Sequence, residues 1–136
     1  MNLPELRQRV EQEGYARQIS ESGPRVLTIH DLRLEQVDGL WRVCDTERGE
    51  TLKIHVESAD ESAACAFWYE RISGTMTFLS GFADRAPAER LQQALAAAGL
   101  QVWRNDIPQL GSSDPVYRIF VAGRDLVAAK RVAQDL

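Results

Sequence analysis

The second half of this chain echoes the first. Leu6, Val10, Gly14 and Tyr15 recur as Leu91, Leu95, Gly99 and Leu100 at an offset of 85, and Ile54, Val56, Asp60, Ala63 and Ala64 recur as Ile119, Val121, Asp125, Ala128 and Ala129 at an offset of 65. The first match is a helix running into a glycine stop; the second is a strand feeding a helix. Each half therefore reads helix, strands, helix, and the 20-residue difference between the offsets leaves room for one more strand in the first half. Self-similarity of this kind marks a duplicated supersecondary unit whose apolar faces cover each other. The expectation is a single domain over 1–136, made of two similar halves at about 1–74 and 86–136 with a connector over 75–85. Function must then be sought on the surface of that scaffold.

Local signals fill in the halves. Asn2-Leu-Pro-Glu5 has capping-box spacing with a proline in the first turn, Leu3, Leu6 and Val10 form a buried stripe, and Gly14 closes the helix. Residues 16–24, with Ser20, Ser22, Gly23 and Pro24, read as a loop. From Arg25 to Glu57 the period changes to two. Val26 to His30 and Leu32 to Val37 are strand-like, Asp38-Gly39 is a strong hairpin signal, and Leu40 to Asp45 is the return strand. After a turn at Glu47-Arg48-Gly49-Glu50, Leu52, Ile54 and Val56 are expected on one face of the next strand of an antiparallel meander.

Ser58 to Glu61 repeats the capping-box spacing and starts a helix that runs to about Ile72, with Ala64, Cys65, Trp68 and Ile72 inward. Phe67, Trp68 and Tyr69 are consecutive, so at about 100° per residue they cannot all point inward. Phe67 and Tyr69 fall on the flanks, either covered by the second half or free to anchor a partner. The connector holds Gly74, Gly81 and a candidate strand from Met76 to Leu79. A helix beginning near Pro87 and ending at Gly99 follows, then strands over 100–104 and 116–121 and a last helix with Leu126, Ala129, Ala133 and Leu136 at helical spacing. The order is α-β-β-β-α-α-β-β-α, an α+β protein with helices covering a mostly antiparallel sheet or pair of sheets.

Totals limit the functions open to it. At 136 residues a core can form without staples, so Cys44 and Cys65 read as reduced, buried and inert. The first residues carry no apolar signal-peptide core and no stretch approaches the roughly 18 apolar residues of a membrane span, so the expectation is a cytoplasmic protein that binds no membrane. Twenty acidic against 16 basic residues give a net charge of −4, and the arginines are interleaved with acids; this disfavours nucleic acid and suits a basic protein partner. His30 and His55 have no ligand-like neighbours, and no nucleophile elbow or phosphate-cradling glycine loop occurs. The sequence is read as non-enzymatic, without cofactor or metal.

One segment is more distinctive. Trp41-Arg42-Val43-Cys44-Asp45-Thr46-Glu47-Arg48-Gly49-Glu50, a strand, and then Glu61-Ser-Ala-Ala-Cys65-Ala-Phe67-Trp-Tyr69-Glu-Arg-Ile72 resembles small bacterial immunity proteins encoded beside polymorphic toxins. In that group a tryptophan-bearing strand runs into a Glu-Arg-Gly turn, and a further strand leads to a helix rich in alanine and aromatics. The likeness covers roughly 31–73, with a fainter echo over 87–136 that lacks the Glu-Arg-Gly turn. It implies an inhibitor, monomeric or homodimeric, that binds a cognate toxin domain and occludes its active site. Candidate partner-binding residues are Asp45, Glu47, Arg48 and Glu50 in the turn, Glu57, Asp60 and Glu61 at the helix start, and Tyr69. A second reading is a homodimeric secretion chaperone that holds an extended effector segment rather than a folded catalytic domain.

Overall fold

A computed structural model of the chain describes residues 1–20 and 23–136, so Ser22 of the expected loop lies outside the described residues. They form two compact units, Met1–Ser73 and Gly74–Leu136. Each unit is an antiparallel sheet with helices, and the fold is α+β as expected.

In the first unit, helix α1 (Leu3–Gln12) starts where Asn2 Oδ1 accepts the Glu5 amide at 2.9 Å, and Pro4 sits in its first turn, where its missing N–H costs nothing. Strands β1 (Val26–Ile29), β2 (Leu32–Val37), β3 (Leu40–Glu47) and β4 (Glu50–Ser58) follow as a meander in the order β1-β2-β3-β4, and helix α2 (Glu61–Ser73) lies on its inner face. Leu6, Val10, Tyr15, Leu27, Ile29, Leu34, Val43 and Trp68 are fully buried in one apolar cluster. Each such side chain contributes about 1.5–3 kcal/mol by leaving water.

Both expected two-residue turns form with left-handed backbone, Asp38-Gly39 at φ 52° and 79° and Arg48-Gly49 at 51° and 83°. A third divides the stretch 26–37 into β1 and β2. There His30 and Asp31 adopt φ 51° and 62° without glycine, a conformation that L side chains adopt at a cost. Replacing the pair with the preferred turn residues, His30→Asn with Asp31→Gly, is expected to stabilise the unit by about 0.5–1 kcal/mol, read as a higher urea midpoint at unchanged m-value.

β4 departs from simple alternation. Val43 faces Val56 but Cys44 faces Ile54, so His55 is an extra residue in the ladder, and Leu52 is a second between Lys53 opposite Asp45 and Thr51 opposite Thr46. An extra residue flips the face of everything beyond it. Val56 packs on the core, whereas Ile54 and Leu52, expected beside it, turn outward.

The second unit begins directly with a strand. The candidate strand at 76–79 forms and runs further, as β5 (Met76–Phe82), which pairs with β7, so most of the expected connector belongs to the second sheet. Helix α3 (Arg85–Ala97), strands β6 (Val102–Ile107) and β7 (Val116–Ala122), a short 3-10 turn (Gly123–Asp125) and helix α4 (Leu126–Gln134) follow. The sheet order is β5-β7-β6 and both pairings are antiparallel, so β5 and β6 run the same way on either side of β7: a split β-α-β arrangement. Ala88, Leu91, Leu95, Ile119, Val121, Leu126 and Ala129 form its core.

The two sequence echoes acquire separate physical meanings. At the end of α1, the Tyr15 amide bonds the Val10 carbonyl at 3.0 Å and the Gly14 amide bonds that of Glu11, with Gly14 at φ 98°. At the end of α3, Leu100 bonds Leu95 at 3.1 Å and Gly99 bonds Ala96, with Gly99 at φ 82°. This is the Schellman helix stop, which asks for glycine in the left-handed position and an apolar residue after it. The second echo joins β4 to α2 and β7 to α4, but β4 lies at the edge of its sheet and β7 at the centre. Ile54 faces outward while Ile119 is fully buried.

Candidate functional site

The described surface of the first unit is acidic. Residues 1–73 hold fourteen Asp and Glu against nine Lys and Arg, a net −5, while residues 74–136 hold six against seven, a net +1. The eight partner-binding candidates are all in the acidic unit, and the structure sorts six of them into two groups, with Asp45 and Tyr69 outside both. Glu47, Arg48 and Glu50 stand exposed around the β3–β4 turn and, with Leu52, line a shallow concavity of about 420 Å³. Glu57, Asp60 and Glu61 sit at the opposite end of β4. Six residues of strand, 51–56, lie between Glu50 and Glu57, which are about 23 Å apart at roughly 3.3 Å per residue.

Between them lie two side chains that alternation assigned to the core. Leu52 is 63% exposed and Ile54 45% exposed, both on the outer face of an edge strand. No turn signal or break in the Leu-Lys-Ile-His-Val alternation marks the bulge that puts them there. The face beside them is charged: Arg42 spans to Glu57 at 2.8 Å and Arg33 lies 3.8 Å from Glu35. On the inner side Asp45 is taken up locally, its Oδ2 lying 2.9 Å from His55 Nε2, while the His55 ring stacks on Phe67 at 5.9 Å. That pair fixes the bulge, and it gives Phe67 a neighbour within its own unit.

The helix-start acids also have structural duties. Asp60 Oδ1 accepts the amides of Ser62 and Ala63 at 3.0 and 3.3 Å, capping α2, and Glu61 Oε1 accepts the Leu3 amide at 2.8 Å, tying α1 to α2. Glu57 is held by Arg42. Their charges still face outward in part, but removing either cap costs the fold.

Tyr69 does not serve as an exposed anchor. It is 7% exposed, its hydroxyl donates to Glu13 Oε1 at 2.6 Å, and the Arg9 guanidinium covers its ring at 3.9 Å. The residue clamps α2 against α1, on the flank where helical spacing placed it. Burial, and then the hydrogen bond to Glu13, push its phenol up to about 12. A raised folded-state value means that the stability Tyr69 contributes is fully present below its ordinary pKa of about 10 and is lost as pH climbs from there through the folded value of about 12. Wild type is therefore expected to lose stability faster than Tyr69→Phe between pH 10 and 12, measured as the urea midpoint at successive pH values.

Both cysteines are buried. Burial raises the Cys44 thiol and lifts that of Cys65 to about 11. Neither is poised as a nucleophile. The folded protein is expected to react with a thiol-specific disulfide reagent only at its rate of opening, and both thiols together only after denaturant is added. Among the described residues no three His, Cys, Asp or Glu side chains converge to hold a metal ion. Among them, too, no helix is long and apolar enough to cross a membrane.

Compared with protein-family models, curated proteins and solved structures, the chain shows no significant match.

Proposed function

We propose that this protein is an immunity protein: a binder that captures a basic toxin domain along the outer edge of its first sheet and blocks it sterically. The observation that carries the reading is β4. It presents Leu52 and Ile54 between an acidic turn at Glu47 and Glu50 and an acidic helix start at Glu57 and Asp60, on a unit of net charge −5. An apolar strip rimmed by charge is the anatomy of a protein–protein interface, in which buried apolar contacts supply affinity and rim charges supply steering. The resemblance over residues 31–73 supports the same segment.

The test is co-expression with the protein encoded beside it. Protection from growth arrest, with a stable stoichiometric complex containing the folded toxic domain, supports the proposal. Growth arrest despite normal levels of folded protein overturns it. A complex that forms only with an extended secretion segment, and leaves toxicity unchanged, identifies a chaperone instead.

A further inference from the structure

We infer that the outer edge of β5 in the second unit accepts an extended, acidic and apolar segment of a partner protein, added as a fourth strand of that sheet. The four sheet edges are unequal. β1 has four residues, and Ser20 bridges its outer side through two 2.9 Å bonds with Thr28. β4 carries Lys53 and Glu57 and two bulges, and β6 carries Arg104 and Asp106. Charges, bulges and brevity are the devices by which edges avoid pairing. β5 has seven residues, Met-Thr-Phe-Leu-Ser-Gly-Phe, with no charge and one irregularity at Leu79. Among the described residues no strand pairs outside it.

Side chains on both faces of that edge are arranged to meet an incoming strand. On the face away from the helices, Phe78 is 54% and Met76 47% exposed. Phe78 packs edge-on against Phe120 at 5.8 Å, and Phe120 pairs in turn with Trp103, so an apolar row crosses the sheet and ends exposed at β5. On the helix face, Ser80 and Phe82 open onto a cleft of about 340 Å³ between α3 and α4, lined by Leu91, Ala133 and Arg90. A strand laid along β5 would alternate its side chains between Phe78 and this cleft, so apolar residues at every second position fit each side.

Charge selects the occupant. Arg118 lies on the open face opposite Gly81, with its guanidinium 5.1 Å from the Phe120 ring; its Nε is buried without a hydrogen-bond partner, and no carboxylate pairs with it among the described residues. Arg90 stands on the helix side of the same edge, in a unit whose net charge is +1. A carboxylate on the added strand answers Arg118. A second copy of this chain pairing β5 to β5 brings none, because β5 contains no acid. This surface is independent of the β4 strip, so either can fail alone.

A yeast-displayed library of random fifteen-residue peptides, sorted on the intact protein, provides the test. Enriched peptides are expected to alternate apolar residues and to carry Asp or Glu, and to slow hydrogen exchange of the amides over 76–82. Their binding should fall at least tenfold with Phe78→Lys and with Arg118→Glu, and remain unchanged with Leu52→Lys. Met76→Lys is the replacement should Phe78→Lys fail to fold. Absence of any enriched peptide that protects the amides over 76–82, a basic rather than acidic composition among the peptides that do protect them, or binding of those peptides indifferent to Phe78, Met76 and Arg118 overturns the inference. So does concentration-dependent dimerisation abolished by these substitutions, which would assign the edge to a second copy.

Discussion

Trp68→Ala is expected to lower the stability of the first unit by about 3–5 kcal/mol, toward the upper end of what a buried tryptophan costs. The ring is fully buried, central to the cluster between α2 and the sheet, and its Nε1 donates to the Leu32 carbonyl at 3.0 Å. Truncation therefore leaves both a large void and an acceptor without its donor. Trp68→Phe separates the two terms: it keeps most of the volume and loses the hydrogen bond, for about 1–3 kcal/mol. Since domains of this size have about 5–15 kcal/mol in hand, the alanine variant should be substantially unfolded in mild urea, where the phenylalanine variant remains native. Loss of hydrogen-exchange protection over β2, β3 and α2 is the direct measurement. A loss below 1 kcal/mol would mean that the cluster does not hold α2 on the sheet.

The α+β class and most elements were legible because local chemistry and tertiary packing agree there. Asn2 and Asp38-Gly39 act where their spacing places them, and Leu6, Val10, Trp41, Ala64 and Trp68 are inside as periodicity requires, whereas the cap of α2 falls to Asp60 rather than to Ser58 of the expected capping box. The misses have a common cause: each depends on strand pairing, which local sequence does not record. The break between the strands at 26–30 and 32–37 was in the sequence, but that His30 leaves the strand to form a turn with Asp31 without glycine follows from the pairing of β1 with β2 on either side. The candidate strand at Met76 to Leu79 forms, but its extension to Phe82 and its place in the second sheet depend on β7, about forty residues later in the chain. The bulge at His55 reverses Ile54 and Leu52 with no residue type to announce it.

For the candidate surface the same limit applied in two directions. Charge clusters were visible, but their separation by the length of β4 was not, nor was the apolar strip that joins them. Tyr69 was placed correctly on a flank of α2, yet the neighbour that covers it, Arg9 on α1, lies sixty residues away in sequence.

If β4 is the toxin-binding edge, Leu52→Lys combined with Ile54→Thr should weaken the complex about 100-fold or more, the equivalent of about 3 kcal/mol, as loss of central apolar anchors does. Both side chains point outward and threonine keeps the β-branched shape a strand prefers, so the fold should be retained. Reversing Glu47 and Glu50 to Lys should act differently. Exposed rim charges have little hold on stability but steer encounter, so the association rate should drop about tenfold at low salt and the deficit should shrink as salt is added. Dissociation should be nearly unchanged. The two variants thus separate in surface-binding kinetics: the apolar pair alters chiefly the off-rate, the acidic pair the on-rate. Charge reversal at Asp60 or Glu61 is a poorer probe, because those carboxylates cap α2 and hold the Leu3 amide, and any binding loss would be mixed with a loss of fold. A complex indifferent to Leu52 and Ile54, yet still protective in cells, would move the interface off this strand.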